Sequence, residues 1–124
     1  MPNKNYARGK IKDVRCADDL RKDGYWSQEA HASKGIFDVV AVKDGVTRFI
    51  QVKRSKRNIV RIASIAHQYR EDIEALQKIP CAVTVSRELW LWIDKQKKVG
   101  EKGYQKEGWR KFVILSYGSL LEMS

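Results

Sequence analysis

Between Gly35 and Arg57 the chain reads GIFDVVAVKDGVTRFIQVKRSKR, two runs rich in Val, Ile and Phe on either side of Asp44-Gly45. Asp-Gly between β-formers is a strong hairpin signal, because a tight type I′ reversal needs positive φ at both turn positions. With Asp44 and Gly45 at the turn, Lys43 faces Val46, Val42 faces Thr47 and, at the open end, Asp38 faces Gln51. Lys53 lies two residues beyond Gln51 and shares its face. That face carries Ile36, Asp38, Val40 and Val42 with Thr47, Phe49, Gln51 and Lys53. The other reads Phe37, Val39 and Ala41 against Arg48, Ile50 and Val52. Both are mostly apolar, as in strands covered on two sides. A carboxylate, an amide and an ammonium gathered at one end of such a hairpin are costly unless paired, hydrated or bound to a metal.

A chain of 124 residues, 43% hydrophobic and 32% charged, fits a single domain over residues 1–124 with one core of its own. No apolar run approaches the roughly 20 residues of a membrane span, and MPNKNYARGK lacks the apolar stretch of a secretory signal. Cys16 and Cys81 are isolated, so neither a zinc site nor a disulfide framework is indicated, and a reducing, cytoplasmic setting is expected. The 25 basic residues against 15 acidic ones leave a net charge of +10, which points to a polyanionic partner, most often nucleic acid. No acidic residue occurs between Asp44 and Glu71, whereas Arg48, Lys53, Arg54, Lys56, Arg57, Arg61 and Arg70 all do. A merely solvated basic face is the alternative.

Residues up to 23 read as a helix after Pro2, capped by Asn3 or Asn5 and stopped by Gly24. Ala7, Val14, Ala17 and Leu20 form its apolar side, with Ile11 near the edge, and Asp13 points along that stripe. Arg8, Lys12 and Arg15 lie on another side, placed to reach phosphate. Tyr25 to Ala30 reads as a strand, followed by a His31–Gly35 turn in which Ser33 is either a turn residue or a phosphate donor. A second helix is expected from a Ser64 cap to Ile79, ended by Pro80. Strands follow at 81–86 and at 89–93, the second carrying Trp90 and Trp92 in the core or against bases. A loop is expected over 94–108, a last strand over 109–117 and a tail over 118–124.

The quoted hairpin, the helix acid, and the segments RGK (Arg8–Lys10), LRKDGY (Leu20–Tyr25), AHASKG (Ala30–Gly35), FDVVAVKDG (Phe37–Gly45) and QVKRSK (Gln51–Lys56) resemble the PD-(D/E)XK nuclease superfamily. Within it they are most similar to the archaeal-type Holliday junction resolvases. Several motifs in the right order are more specific than one. The resemblance implies an α/β fold with a mixed sheet and a restriction-endonuclease-like core. Its order is a helix, a three-stranded antiparallel meander, a second helix and further strands.

The resemblance also implies that Asp38 is the central metal ligand, with the Val52 carbonyl as a further one, and that Asp13 replaces the family's helix glutamate. Lys53 orients or activates the attacking water, Ser33 is the active-site serine and Arg8 holds backbone phosphate. Lys10, Lys34, Arg54, Lys56 and Arg57 are the further expected DNA contacts. The implied cofactor is Mg²⁺ or Mn²⁺, with no small-molecule cofactor, and hard oxygen ligands suit it. The implied partners are four-way junction DNA and a second copy of the chain, without a membrane. Phe37 stands where the superfamily has proline. Gln51 stands where the family has a carboxylate, and an amide ligates without adding negative charge, so metal binding is expected to be weaker. Glu29 on the neighbouring strand is a candidate to compensate. Other readings are a repair, restriction-like or flap nuclease, a non-catalytic DNA-binding module on the same scaffold, and an ordinary Asp38–Lys53 ion pair.

Overall fold

The computed structural model describes residues 4–30, 35–80, 82–97 and 104–123, excepting the side chains of 4–10, 97, 104 and 105. His31, Ser33, Lys34 and Cys81 therefore lie outside the described residues, as do the side chains of Arg8 and Lys10. Helix α1 (Lys4–Lys22) leads into the meander of β1 (Trp26–Glu29), β2 (Val39–Lys43) and β3 (Val46–Ser55). Helices α2 (Ile62–Gln68) and α3 (Arg70–Leu76) precede β4 (Val85–Ile93), the two-residue strands β5 (Gln96–Lys97) and β6 (Tyr104–Gln105), then β7 (Gly108–Ile114) and β8 (Leu120–Met123). The main sheet has the order β1-β2-β3-β4-β7-β8. Among the described residues only β3 and β4 run parallel, and α2 and α3 make the crossover between them. The fold is mixed α/β with the expected meander.

The central reversal follows its dipeptide. Asp44 (φ 52°) and Gly45 (φ 79°) both take positive φ, and Lys43 pairs Val46 across the turn. Alternation then sends Val39, Ala41, Ile50 and Val52 into one core with Cys16, Ala17 and Leu20 of α1 and Trp90 of β4. Across the sheet, Leu89, Leu91 and Ile93 of β4 pack with Ile65, Tyr69, Ile73 and Leu76 of the crossover helices. Both faces are therefore covered, as the two apolar faces of the hairpin require.

Several boundaries differ from expectation. The second helix begins at an Arg61 N-cap without a side-chain cap bond, so Ser64 sits inside the first turn, its N–H on the Arg61 carbonyl. The helix also breaks at Tyr69 (φ −107°, ψ 24°) into two. The two short strands expected at 81–86 and 89–93 are one strand, β4. Its interior charges are bonded within the protein rather than turned outward, although Arg87 Nε is left without a partner among the described residues: Glu88 is 1% exposed and Arg87 3%. Glu88 accepts from Arg48 at 2.6 and 2.7 Å, from Ser86 Oγ at 2.7 Å and from the Trp90 indole at 2.9 Å. Arg87 donates to the carbonyls of Ile114 and Leu115 at 3.1 Å. The expected loop over 94–108 holds the β5–β6 pair. The expected tail contains β8, which extends the sheet beside β7.

Trp90 and Trp92 are core residues, 1% and 2% exposed, which removes them as base-stacking surfaces. On α1 the inner line is Cys16, Ala17 and Leu20, while Val14 is 38% exposed and Ile11 60%. Among the described residues no helix is long and apolar enough to cross a membrane.

Candidate active site

The hairpin opens at Asp38, and the opening creates the site. The β2–β3 ladder ends at Val39↔Ile50. Beyond it the Asp38 N–H donates to the Ile50 carbonyl at 2.8 Å. Its carboxylate Oδ2 accepts the Val52 N–H, also at 2.8 Å. The expected face-to-face pair of Asp38 with Gln51 is thus replaced by a side chain standing in for a strand carbonyl. Among the described residues the second carboxylate oxygen, Oδ1, has no hydrogen bond.

Alternation along β3 places Gln51, Lys53 and Ser55 opposite the α1 core, beside Leu89, Leu91 and Ile93, their partners on β4. The Lys53 ammonium meets Asp72 of α3, Nζ to Oδ1 3.3 Å. Burial pushes the Asp38 carboxyl above its ordinary range. The Val52 N–H and the Lys53 ammonium pull it back, and the Asp72 charge pushes it up again. Lys53 therefore pairs with Asp72, and both charges act on the Asp38 carboxyl without touching it. The Gln51 amide, half-buried on the same face, has no hydrogen-bond partner among the described residues.

Asp72, the acid beside Lys53, was not singled out from the sequence. It lies three residues after Tyr69 and four before Leu76, both buried, so the helical wheel alone puts it at the rim of the inward stripe. Glu29, expected as a compensating acid, is ruled out by register. As a residue of β1 it pairs with Val39 of β2, which turns it to the α1 side, where Arg21 approaches it at 3.4 Å.

Asp13 is half-buried on α1, the helix packed on the face opposite Lys53, and its charge bears on the Cys16 thiol. Burial is the main influence on that thiol, and pushes its pKa up.

The basic end of β3 divides. Arg54 is engaged by Asp94, Nε to Oδ1 2.8 Å. Lys56 and Arg57 are exposed and have no ion-pair partner among the described residues. They line an open cavity of about 430 Å³ with Ser55, Gln68 and Tyr69. Ser55 Oγ shapes its floor, donating to the Arg57 carbonyl at 2.6 Å. The cavity lies two residues along β3 from Lys53 and one helical turn from Asp72.

Oxygen donors of this kind, a carboxylate with one open lone-pair face, a second carboxylate and an amide oxygen, suit a hard divalent cation. Among the described residues no three His, Cys, Asp or Glu side chains gather as a metal site. The donor set is accordingly two acids, with Gln51 where a third carboxylate was expected.

The sequence matches no family model and no curated protein. In three dimensions the chain is similar to Hjc of Archaeoglobus fulgidus, a Holliday junction resolvase from an archaeal hyperthermophile. The TM-score is 0.56 at 16% identity, over 92% of this chain and 85% of that one. The likeness is one of fold, a restriction-endonuclease-like mixed α/β architecture.

Proposed function

We propose that this chain is a Mg²⁺- or Mn²⁺-dependent, structure-selective endodeoxyribonuclease that hydrolyses phosphodiester bonds in four-way DNA junctions, acting as a homodimer in the cytoplasm. The observation that carries the reading is the grouping of Asp38, Lys53 and Asp72 at the mouth of the hairpin, beside Lys56 and Arg57, which have no ion-pair partner among the described residues. The fold shared with a protein named as a Holliday junction resolvase supports it.

A bound divalent ion supplies Lewis acidity and a more acidic water. Asp38 would hold that ion, with the Gln51 amide and the Val52 carbonyl as neutral donors. Lys53 offsets the negative charge that grows on the phosphate oxygens as water adds to phosphorus and the bridging P–O bond breaks. Lys56 and Arg57 hold the neighbouring backbone, which positions the strand without reading bases. Two copies related by a two-fold axis present two such sites to a substrate of matching symmetry. In this reading Ser33 joins the site, with Arg8, Lys10, Lys34 and Arg54 as further phosphate contacts, while Asp13, on the helix that packs against the other face of the sheet, does not.

The test is cleavage of labelled four-way junction, duplex, flap and single-stranded DNA in Mg²⁺ and in Mn²⁺. Preferential nicking of the junction is expected. Intact junction in both metals overturns the reading, and preference for flap or duplex moves the chain to another nuclease class. Gln51, which adds no negative charge, favours one second reading: a junction-binding module without catalysis. Tight, salt-sensitive junction binding without metal-dependent cutting marks that case.

A further inference from the structure

We infer that Asp72 is a ligand of the divalent ion, supplying from helix α3 the carboxylate that Gln51 does not supply from strand β3. The inference rests on the nuclease reading and deepens it. Three observations carry it. Asp72 comes from the element packed over the Asp38 side of the sheet, and its Oδ1 is 3.3 Å from the Lys53 ammonium. The Lys53 and Asp72 charges both act on the Asp38 carboxyl, which places the three groups within electrostatic reach of one another. The Gln51 side chain is unpartnered on that same face among the described residues.

An ammonium that pairs with one partly buried acid and acts on a second does part of the electrostatic work of a bound cation. It leaves the group with one net negative charge, and a divalent ion reverses that balance to one net positive charge beside a phosphate. Affinity for hard cations is set largely by the number of charged oxygen ligands. With Gln51 neutral, Asp38 alone is a weak anchor and Asp38 with Asp72 is a workable one. Lys53, exchanged off Asp72 by the ion, is then left to face the phosphate. Glu29 has no such access, because its strand register turns it to the other side of the sheet.

The experiment is calorimetric Mn²⁺ titration of the full chain without DNA, comparing the parent with Asp38→Ala, Asp72→Asn and the double variant Gln51→Glu/Asp72→Asn. Thermal melts in EDTA confirm that each is folded. The expected result is a loss of Mn²⁺ affinity on the order of tenfold or more in Asp72→Asn, with most of it recovered in the double variant. Parent-like Mn²⁺ binding by Asp72→Asn overturns the inference and leaves Asp72 as a positioning residue for Lys53. So does failure of Gln51→Glu to restore binding. A parent that binds Mn²⁺ in an Asp38-dependent way keeps the nuclease reading whatever Asp72 does. A parent that binds none removes both.

Discussion

Asp38 Oδ2 accepts the backbone N–H of Val52 at 2.8 Å, so a carboxylate takes the place of a strand carbonyl where the central hairpin opens. The bond aims the acid without consuming its second oxygen. It also holds a half-buried charge next to Asp72, an arrangement better suited to binding a cation than to stability. Proteins commonly give up stability at such sites.

Asp38→Asn is therefore expected to stabilise the metal-free protein at neutral pH. Burial raises the Asp38 carboxyl above its ordinary 3.8. A folded pKa above the unfolded one means that the favourable, protonated contribution is complete below the unfolded value and is lost as pH rises through the folded one. An asparagine oxygen still accepts the Val52 N–H but carries no charge to desolvate. In EDTA at pH 7 the variant should melt above the parent, and the gap should close as pH falls below 4. Mn²⁺ should raise the melting temperature of the parent and not that of Asp38→Asn.

Glu88 makes a different case, an ion pair kept for packing. It is 1% exposed and bound by Arg48, Ser86 and Trp90. Glu88→Ala strands the Arg48 guanidinium and should cost about 3–5 kcal/mol in urea unfolding. Arg48→Met with Glu88→Leu, which removes both charges and keeps volume, should recover most of that loss. A double variant as unstable as the single one contradicts this account of β4.

Lys56 and Arg57 should each contribute one phosphate contact. Replacing either with Ala should lessen the slope of log binding constant against log salt concentration by about 0.9, measured on a junction without divalent metal. Arg54→Ala, whose guanidinium already holds Asp94 at 2.8 Å, should change that slope less.

Cys16 is 0% exposed and its thiol is pushed up by burial. In a Cys81→Ser background, an aromatic disulfide reagent at pH 8 should find no reactive thiol in the native protein and one in guanidinium. Rapid native labelling would mean that α1 does not stay closed over the sheet.

The hairpin was legible because its determinants are local. Asp44 and Gly45 set the turn, and alternation from there assigns both faces as far as Val39 and Ile50. What lay beyond was decided at a distance. Arg87 and Glu88 look like a break between two short strands, and carbonyls of β7, of its following turn and of the segment after α3, with Arg48 of β3, explain why charges persist inside β4. Leu120–Met123 is too short to declare itself a strand without β7 beside it. Asp72 was visible as a rim acid on the second helix, but its meeting with Lys53 depends on how the β3–β4 crossover lays α3 across the sheet. The place of Asp38 at the open end of the hairpin was legible and its bond to the Val52 N–H was not, since the expected pair with Gln51 presumed a ladder that ends one step earlier.

The most direct measurement is single-turnover cleavage of an end-labelled four-way junction by the parent, Asp38→Ala and Lys53→Ala, with Mn²⁺ and with EDTA, alongside junction binding measured in EDTA. The account predicts Mn²⁺-dependent nicking by the parent, a rate at least 100-fold lower in each variant, and junction binding by all three. Cleavage by Asp38→Ala at the parent's rate, or by the parent in EDTA, would contradict it.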